Sequence, residues 1–301
     1  MRFERIFGLG LSVLDHLLVV DGFTLTGTRT RYEEREVCAG GMVTTALAQA
    51  AVLGCHTQLL SVIGDDEEGR QLTRMLRERR VGTRRLLRDP RFPTIVATVL
   101  VNRRGGERRF LVSDRRPVER AAPGLDLPAL DDRALLLVDG HFSASALRAV
   151  KHARRCGAVV IGDFSDARPA FVRLLPYVDH AIVPLEFTQA WGRGDPRQTL
   201  HALHDEFGGS PVVTLGRRGA LALVDGRVRR IGAERVRVRD TTGAGDVFHG
   251  AFAAGLAHGW SVLESLDLAA RAASRSCTAL GGMGRLLRSR EMREIRRRQR
   301  A

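Results

Sequence analysis

Lysine is almost missing from this chain of 301 residues. Lys151 is the only one, so arginine supplies nearly all of a net charge of +14. Large stacking rings are also scarce, with two Trp and two Tyr. The arginines are spread over residues 77–91, 103–120, 227–239 and 285–300. That dispersal reads as solvated faces rather than a nucleic-acid surface, and any nucleic-acid binding is expected to be non-specific and lost with salt. Cys38, Cys55, Cys156 and Cys277 stand apart with no Cys-x-x-Cys pair, which argues against a zinc ribbon or a redox dithiol and for free thiols in a reducing cytoplasm. No apolar run approaches the ~18 residues that span a bilayer. The stretch Met1 to Asp21 holds Glu4, Asp15 and His16 and lacks a small-residue cleavage pattern, so no signal peptide is read and a cytoplasmic location is expected. Gly-Lys-Ser/Thr is absent, which excludes a Walker-type ATPase. A dinucleotide-binding Gly-x-Gly-x-x-Gly/Ala also fails: Gly8-Leu9-Gly10 runs on to Val13, and Gly243-Ala244-Gly245 runs on to Phe248.

What is present is a hydrophobic content of 44%, enough for a sizeable core. Apolar runs at Arg5 to Val13, Gln58 to Ile63, Ala134 to Val138, Val159 to Asp163, Ala181 to Val183 and Val212 to Leu215 read as strands. Helical patterns at Met42 to Leu53, Asp65 to Arg80, Ser143 to Cys156, Asp195 to Phe207 and Ala244 to Leu280 lie between and after them. This alternation predicts an α/β fold with a mostly parallel sheet and helices on both faces. Two strand pairs, within 15–37 and 93–113, break the alternation and predict a small separate sheet; Leu221 to Val224 and Arg227 to Ile231 read as a further hairpin. The Arg-rich tail reads as disordered.

The chemistry concentrates in Asp240-Thr241-Thr242-Gly243-Ala244-Gly245-Asp246-Val247-Phe248-His249-Gly250-Ala251-Phe252. Threonine hydroxyls can cap a helix start, and glycines leave backbone amides bare where a helix N-terminus attracts phosphate. A carboxylate beside an anion site needs a reason to be there. Asp246 either serves the helix dipole or accepts the proton of a hydroxyl that attacks phosphate.

The string D-T-T-G-A-G-D-x-F-x-G-A resembles the C-terminal signature of the ribokinase-like (PfkB) carbohydrate kinases. The resemblance implies a single ribokinase-like unit over 1–301, with a β-sheet lid on the large α/β domain. It implies that Asp246 is the base and that amides from Gly243, Ala244 and Gly245 form an anion hole. Thr242 falls on the nucleotide side. Gly40-Gly41 opening the first helix is similar to the family's N-terminal signature, where glycine lets a sugar approach the backbone. Many members place Asn where this chain has Thr45, and a Thr there is similar to a subset close to sulfofructose kinase and bacterial ketohexokinase-like proteins. Asp15, read as following the first strand, matches the family's sugar-binding acid; a carboxylate can accept from two vicinal hydroxyls. His141, at the strand end Val138-Asp139-Gly140, is a substrate-contact candidate no stronger than a loop histidine.

Val213-Thr214-Leu215-Gly216-Arg217-Arg218-Gly219 is similar to the family's nucleotide-side turn, which marks Thr214, Gly216 and Gly219, although Arg217 stands where relatives often have an acid. Gly281-Gly282 lies in the usual loop near adenine, and Ala270 replaces a polar residue. Of the family's Asn-x-x-Glu, only Glu186 survives in Val183-Pro184-Leu185-Glu186, as an indirect metal candidate. His249 reads as packed on its helix. The cofactors implied are ATP and Mg²⁺, with room for a monovalent cation. The partners implied are a sugar and a second copy of the chain, joined through the lid, with Val19, Val20, Phe23, Val96, Val99 and Val101 as covering residues. The sequence leaves two alternatives: a nucleoside kinase on the same scaffold, or a ligand-binding regulator with impaired catalysis.

Overall fold

The computed structural model describes residues 2–23, 30–191 and 194–300. Its thirteen strands are β1 (Arg5–Leu9), β2 (Val13–Val20), β3 (Glu34–Gly40), β4 (His56–Gly64), β5 (Gly82–Asp89), β6 (Val96–Asn102), β7 (Arg108–Val112), β8 (Ala134–Val138), β9 (Val159–Asp163), β10 (His180–Pro184), β11 (Val212–Thr214), β12 (Ala220–Val224) and β13 (Arg227–Ile231). Nine of them form one sheet in the order β13-β12-β11-β10-β9-β8-β1-β4-β5. From β11 to β5 the neighbours are parallel; β12 and β13 close the edge antiparallel. Every residue of β8 is buried, as expected for a central parallel strand covered on both faces. Its side chains divide by period two. Leu135 and Leu137 join a core with the helices Met42–Val52, Ala244–Ala257 and Val262–Ser276, whereas Leu136 and Val138 join a second core with Ala146 and Val150 of the helix Ser143–Arg155.

The remaining strands form a four-stranded sheet, β3-β2-β6-β7, in which two hairpins meet through the parallel pair β2 and β6. This agrees with the expected small separate sheet. The run Arg5 to Val13 is not one strand, however. β1 ends at Leu9, and residues 10–12 cross from the large sheet to the small one. Asp139 Oδ2 accepts the Leu11 N–H at 2.9 Å, and Thr44 Oγ1 donates to the Leu11 carbonyl at 3.1 Å. Asp15 therefore lies inside β2, not in a loop after β1.

Other expectations also change. Gly82–Asp89 is an edge strand that its arginines concealed, and Leu185–Ala190 is a short helix that was not foreseen. The Arg-rich tail is the helix Ser289–Arg300, which buries Met292 and Ile295. Glu291 anchors it to Arg275 at 3.0 Å and Arg285 at 2.6 Å. Burial alone would raise the Glu291 carboxyl, but hydrogen bonds from Arg285 and the Arg288 N–H outweigh that and hold it at about 2. Residues 24–29, part of the first expected strand pair, lie outside the described residues. Among the described residues no helix is long and apolar enough to cross a membrane.

Candidate active site

The carboxyl ends of parallel strands gather ligand groups in open α/β sheets. Here β8 runs into Asp139, β9 ends on Asp163 and β11 on Thr214, and the N-terminus of the helix Ala244–Ala257 meets this edge. That helix begins at Gly243, in the left-handed region at φ 69°. Neither threonine caps it. Thr242 donates its N–H and hydroxyl to Asp240 Oδ1 at 2.8 and 2.7 Å, and Thr241 Oγ1 donates to the Gly106 carbonyl at 3.1 Å. With no side-chain cap, the Gly243, Gly245 and Asp246 amides stay open, whereas the Ala244 N–H donates to the Thr241 carbonyl at 3.3 Å. Gly245 is exposed, with open space where a side chain would stand, so its amide is accessible from solvent.

Gly243 is glycine for a second reason: its backbone touches that of Gly282, where a side chain would collide. Asp240 is wholly buried and joins the two loops, since its other oxygen accepts the Gly281 N–H at 2.8 Å. Gly281 takes φ 77° in that turn. Thr45 is buried, and its methyl faces this crossing. Thr242, Gly281 and Thr45 thus meet at one joint. The two glycine signatures are brought together because Gly250 sits against the Ala46 carbonyl, with no space for a side chain between the helices.

Asp246 occupies the first turn and is half-buried. Desolvation raises its carboxyl to about 6, Arg108 opposes the rise and Asp139 adds to it. Asp15 faces it from the small sheet and is 7% exposed. Its carboxylate has no hydrogen-bond partner among the described residues and lies against Gly40, where any side chain would strike it. Burial raises Asp15 to about 7, with Asp246 and then Asp240 adding to the rise. Gly41 begins the helix Met42–Val52 at φ 99°, hard against the Leu11 carbonyl.

His141 donates its backbone N–H to Asp139 Oδ1 at 3.0 Å and sets its ring edge-on to Phe171. Burial lowers its pKa, Asp139 opposes that, and Arg115 and Arg168 lower it further. Thr214 closes β11, and Gly216 and Gly219 shape the turn after it. Gly219, at φ 86°, has no room for a side chain beside the Ile231 carbonyl. Glu186 is exposed in the short helix Leu185–Ala190. Among the described residues no group of three His, Cys, Asp or Glu could enclose a metal ion.

Four groups that the structure places around Asp246 were not singled out from the sequence: Asp139, Asp163, Asp240 and Arg108. An acid at a strand's carboxyl end was the available signal for Asp139 and Asp163. Arg108 gave none, because it lies in the hairpin β6–β7 and reaches the site only through the fold. Its Nη1 donates to Thr241 Oγ1 at 2.6 Å, beside the Gly106 contact. An ion pair between Arg239 and Glu34 also joins the main body to the small sheet, at the edge of a cavity of about 340 Å³.

Residues 4–287 match the model of the pfkB family of carbohydrate kinases. Ribokinase from Schizosaccharomyces pombe is 27% identical over 270 residues, covering 83% of this chain and 80% of its own. A putative ribokinase from Agrobacterium tumefaciens superposes with a TM-score of 0.84 at 25% identity, covering 99% of both chains. Arabidopsis thaliana ribokinase complexed with ribose and ATP has a TM-score of 0.78 at 20% identity, covering 97% of this chain and 98% of that one. With the family model matching nearly the whole length, this chain belongs to the pfkB carbohydrate kinases.

Proposed function

We propose that this kinase transfers the terminal phosphoryl group of ATP to a hydroxyl of a sugar or sugar derivative. The observation that carries the reading is a raised carboxyl, Asp246, in the first turn of a helix whose Gly243, Gly245 and Asp246 amides are bare, with the unpartnered Asp15 facing it. In this reading Asp15 accepts hydrogen bonds from acceptor hydroxyls, and Gly40 and Gly41 let the sugar lie against the backbone. Thr45 and His141 line the acceptor side. Asp246 takes the hydroxyl proton as the oxygen attacks. The amides at Gly243, Ala244 and Gly245 meet charge on the transferred group, and Arg108, on the small sheet, adds a positive charge beside them. Thr214, Gly216, Gly219, Thr242 and Gly281 frame the nucleotide. The arabidopsis relative, with its ribose and ATP, supports both ligand classes. Mg²⁺ fits as an ion carried on phosphate oxygens with few protein ligands, Glu186 acting through water.

A panel of sugars, sugar acids, sugar phosphates and nucleosides with Mg-ATP, read by ADP release, tests the proposal. ADP formation that depends on one sugar-class acceptor supports it. Release with nucleosides alone would move the reading to a nucleoside kinase. No acceptor-dependent release from any of them would overturn it.

A second copy of the chain is proposed as partner, through the small sheet. Of the residues expected to cover that contact, Val19, Val20, Val99 and Val101 are buried within the chain itself, and only Phe23 and Val96 are partly exposed. The edge strand β7 is available instead. All five of its residues are exposed, with Phe110 at 50%, Leu111 at 60% and Val112 at 51%. An apolar strand edge of this kind needs cover in water. Light scattering at micromolar concentration is expected to give about twice 33.1 kDa, and Leu111→Asp is expected to shift it toward the monomer. A mass of 33.1 kDa that ATP and acceptor leave unchanged would rule the dimer out.

A further inference from the structure

His249 lies one turn beyond Asp246 on the same helix and is 4% exposed. Its ring meets three acceptors. Nδ1 is 2.8 Å from the Gly245 carbonyl, Nε2 is 3.4 Å from the Ile182 carbonyl on β10, and Asp163 Oδ2 is 3.4 Å from Nδ1. The shortest contact assigns the ring proton to Nδ1, donating to Gly245. Asp163 is 5% exposed, and its Oδ2 has no hydrogen bond. Ile182 and Asp163 are register partners on adjacent strands. The ring therefore packs between the first turn of the helix and two neighbouring strands, with its one proton on the Gly245 carbonyl.

The tie falls on a particular peptide. The Gly245 carbonyl and the Asp246 N–H belong to one planar unit. The helix already points this oxygen toward the His249 backbone N–H; the ring adds a second donor to it and so tightens the direction of the N–H, and with it one donor of the anion hole and the backbone that carries the base. Glycine at 245 has no side chain that could do this. Burial lowers His249 to about 4, against the nearness of the Gly245 and Ile182 carbonyls, and pushes Asp163 upward, with Asp246 and Asp139 adding to that rise.

We propose that His249, through its Nδ1–H on the Gly245 carbonyl, is a positioning residue that orients the Gly245–Asp246 peptide for phosphoryl transfer. The inference rests on Asp246 being the base. His249→Leu removes both ring nitrogens. His249→Asn places an amide nitrogen where Nδ1 stands, and His249→Gln places one nearer Nε2. The Leu variant is expected to lose roughly 10- to 100-fold in kcat, as misplacement of about 1 Å at a reacting group does, with KM for ATP and acceptor little changed. Asn is expected to restore most of kcat and Gln not. Wild-type kcat in the Leu variant, or equal activity in Asn and Gln, would overturn the proposal. Should the Leu variant fail to fold, the Asn and Gln pair decides, each checked by thermal melting. Asp246→Asn separates the two readings. If it is inactive while all His249 variants are normal, only the positioning role falls; if it is fully active, the base assignment itself falls.

Discussion

Asp246→Asn is expected to lower kcat by roughly 10²–10⁴, the usual worth of a positioned general base. The change is nearly isosteric and removes only the proton acceptor, so nucleotide binding should persist. A variant that phosphorylates its acceptor at the wild-type rate would refute the assignment. The wild-type pH profile should carry the same information. Asp246 must be ionised to accept a proton, and it stands at about 6, with Asp15 at about 7. Activity should therefore fall as pH drops through this range, on a limb that belongs to the two carboxyls together.

Stability should move the opposite way. The Asp246 carboxyl is raised from 3.8 to about 6, so the fold favours its neutral form. The cost of ionising it is absent below its ordinary pKa and appears as pH rises through about 6. Asn has no such cost. A shift of roughly two units corresponds to ~3 kcal/mol at most, and partial exposure of the carboxyl reduces it. The Asp246→Asn variant should thus melt a few degrees above the wild type at about pH 8 and level with it near pH 4. A lower melting temperature at pH 8 would show that ionised Asp246 contributes to the fold rather than strains it.

The second large effect is expected at Asp15→Ala. The carboxylate lacks a partner among the described residues, and the proposed acceptor would provide one. Losing two hydrogen bonds to a charged group, each worth ~1.5 kcal/mol or more, should raise the acceptor KM on the order of 10²-fold. The KM for ATP should change little, because Asp15 stands on the small sheet, whereas the turn at Thr214 to Gly219 belongs to the large one. Steady-state kinetics with each substrate varied in turn measures both. An unchanged acceptor KM would remove Asp15 from the acceptor site.

Much of the architecture was readable along the chain. The buried strand runs, the helix patterns between them and the two irregular strand pairs carry their periodicity locally, and local periodicity reports which faces will be covered. The glycine-rich string from Asp240 to Phe252 was readable for the same reason: a tight turn, bare amides and a helix start are all properties of adjacent residues. Errors arose where local pattern and tertiary role diverge. Arginines hid β5 because an edge strand need bury only one side, and they hid the last helix, whose buried contacts are Met292 and Ile295. The run from Arg5 to Val13 looked continuous because both of its ends are apolar, although residues 10–12 carry the chain between two sheets.

The sequence by itself determined the α/β alternation, the position of the small sheet's strands and the segment that holds Asp246. Only the tertiary structure decided which groups surround that carboxyl. Asp139 and Asp163 come from separate strand ends, Arg108 from a hairpin of the other sheet, and Asp240 is stapled to Gly281 across two helices. Electrostatics and hydrogen bonding depend on distance in space, and no period along the chain encodes a distance between residues of separate elements.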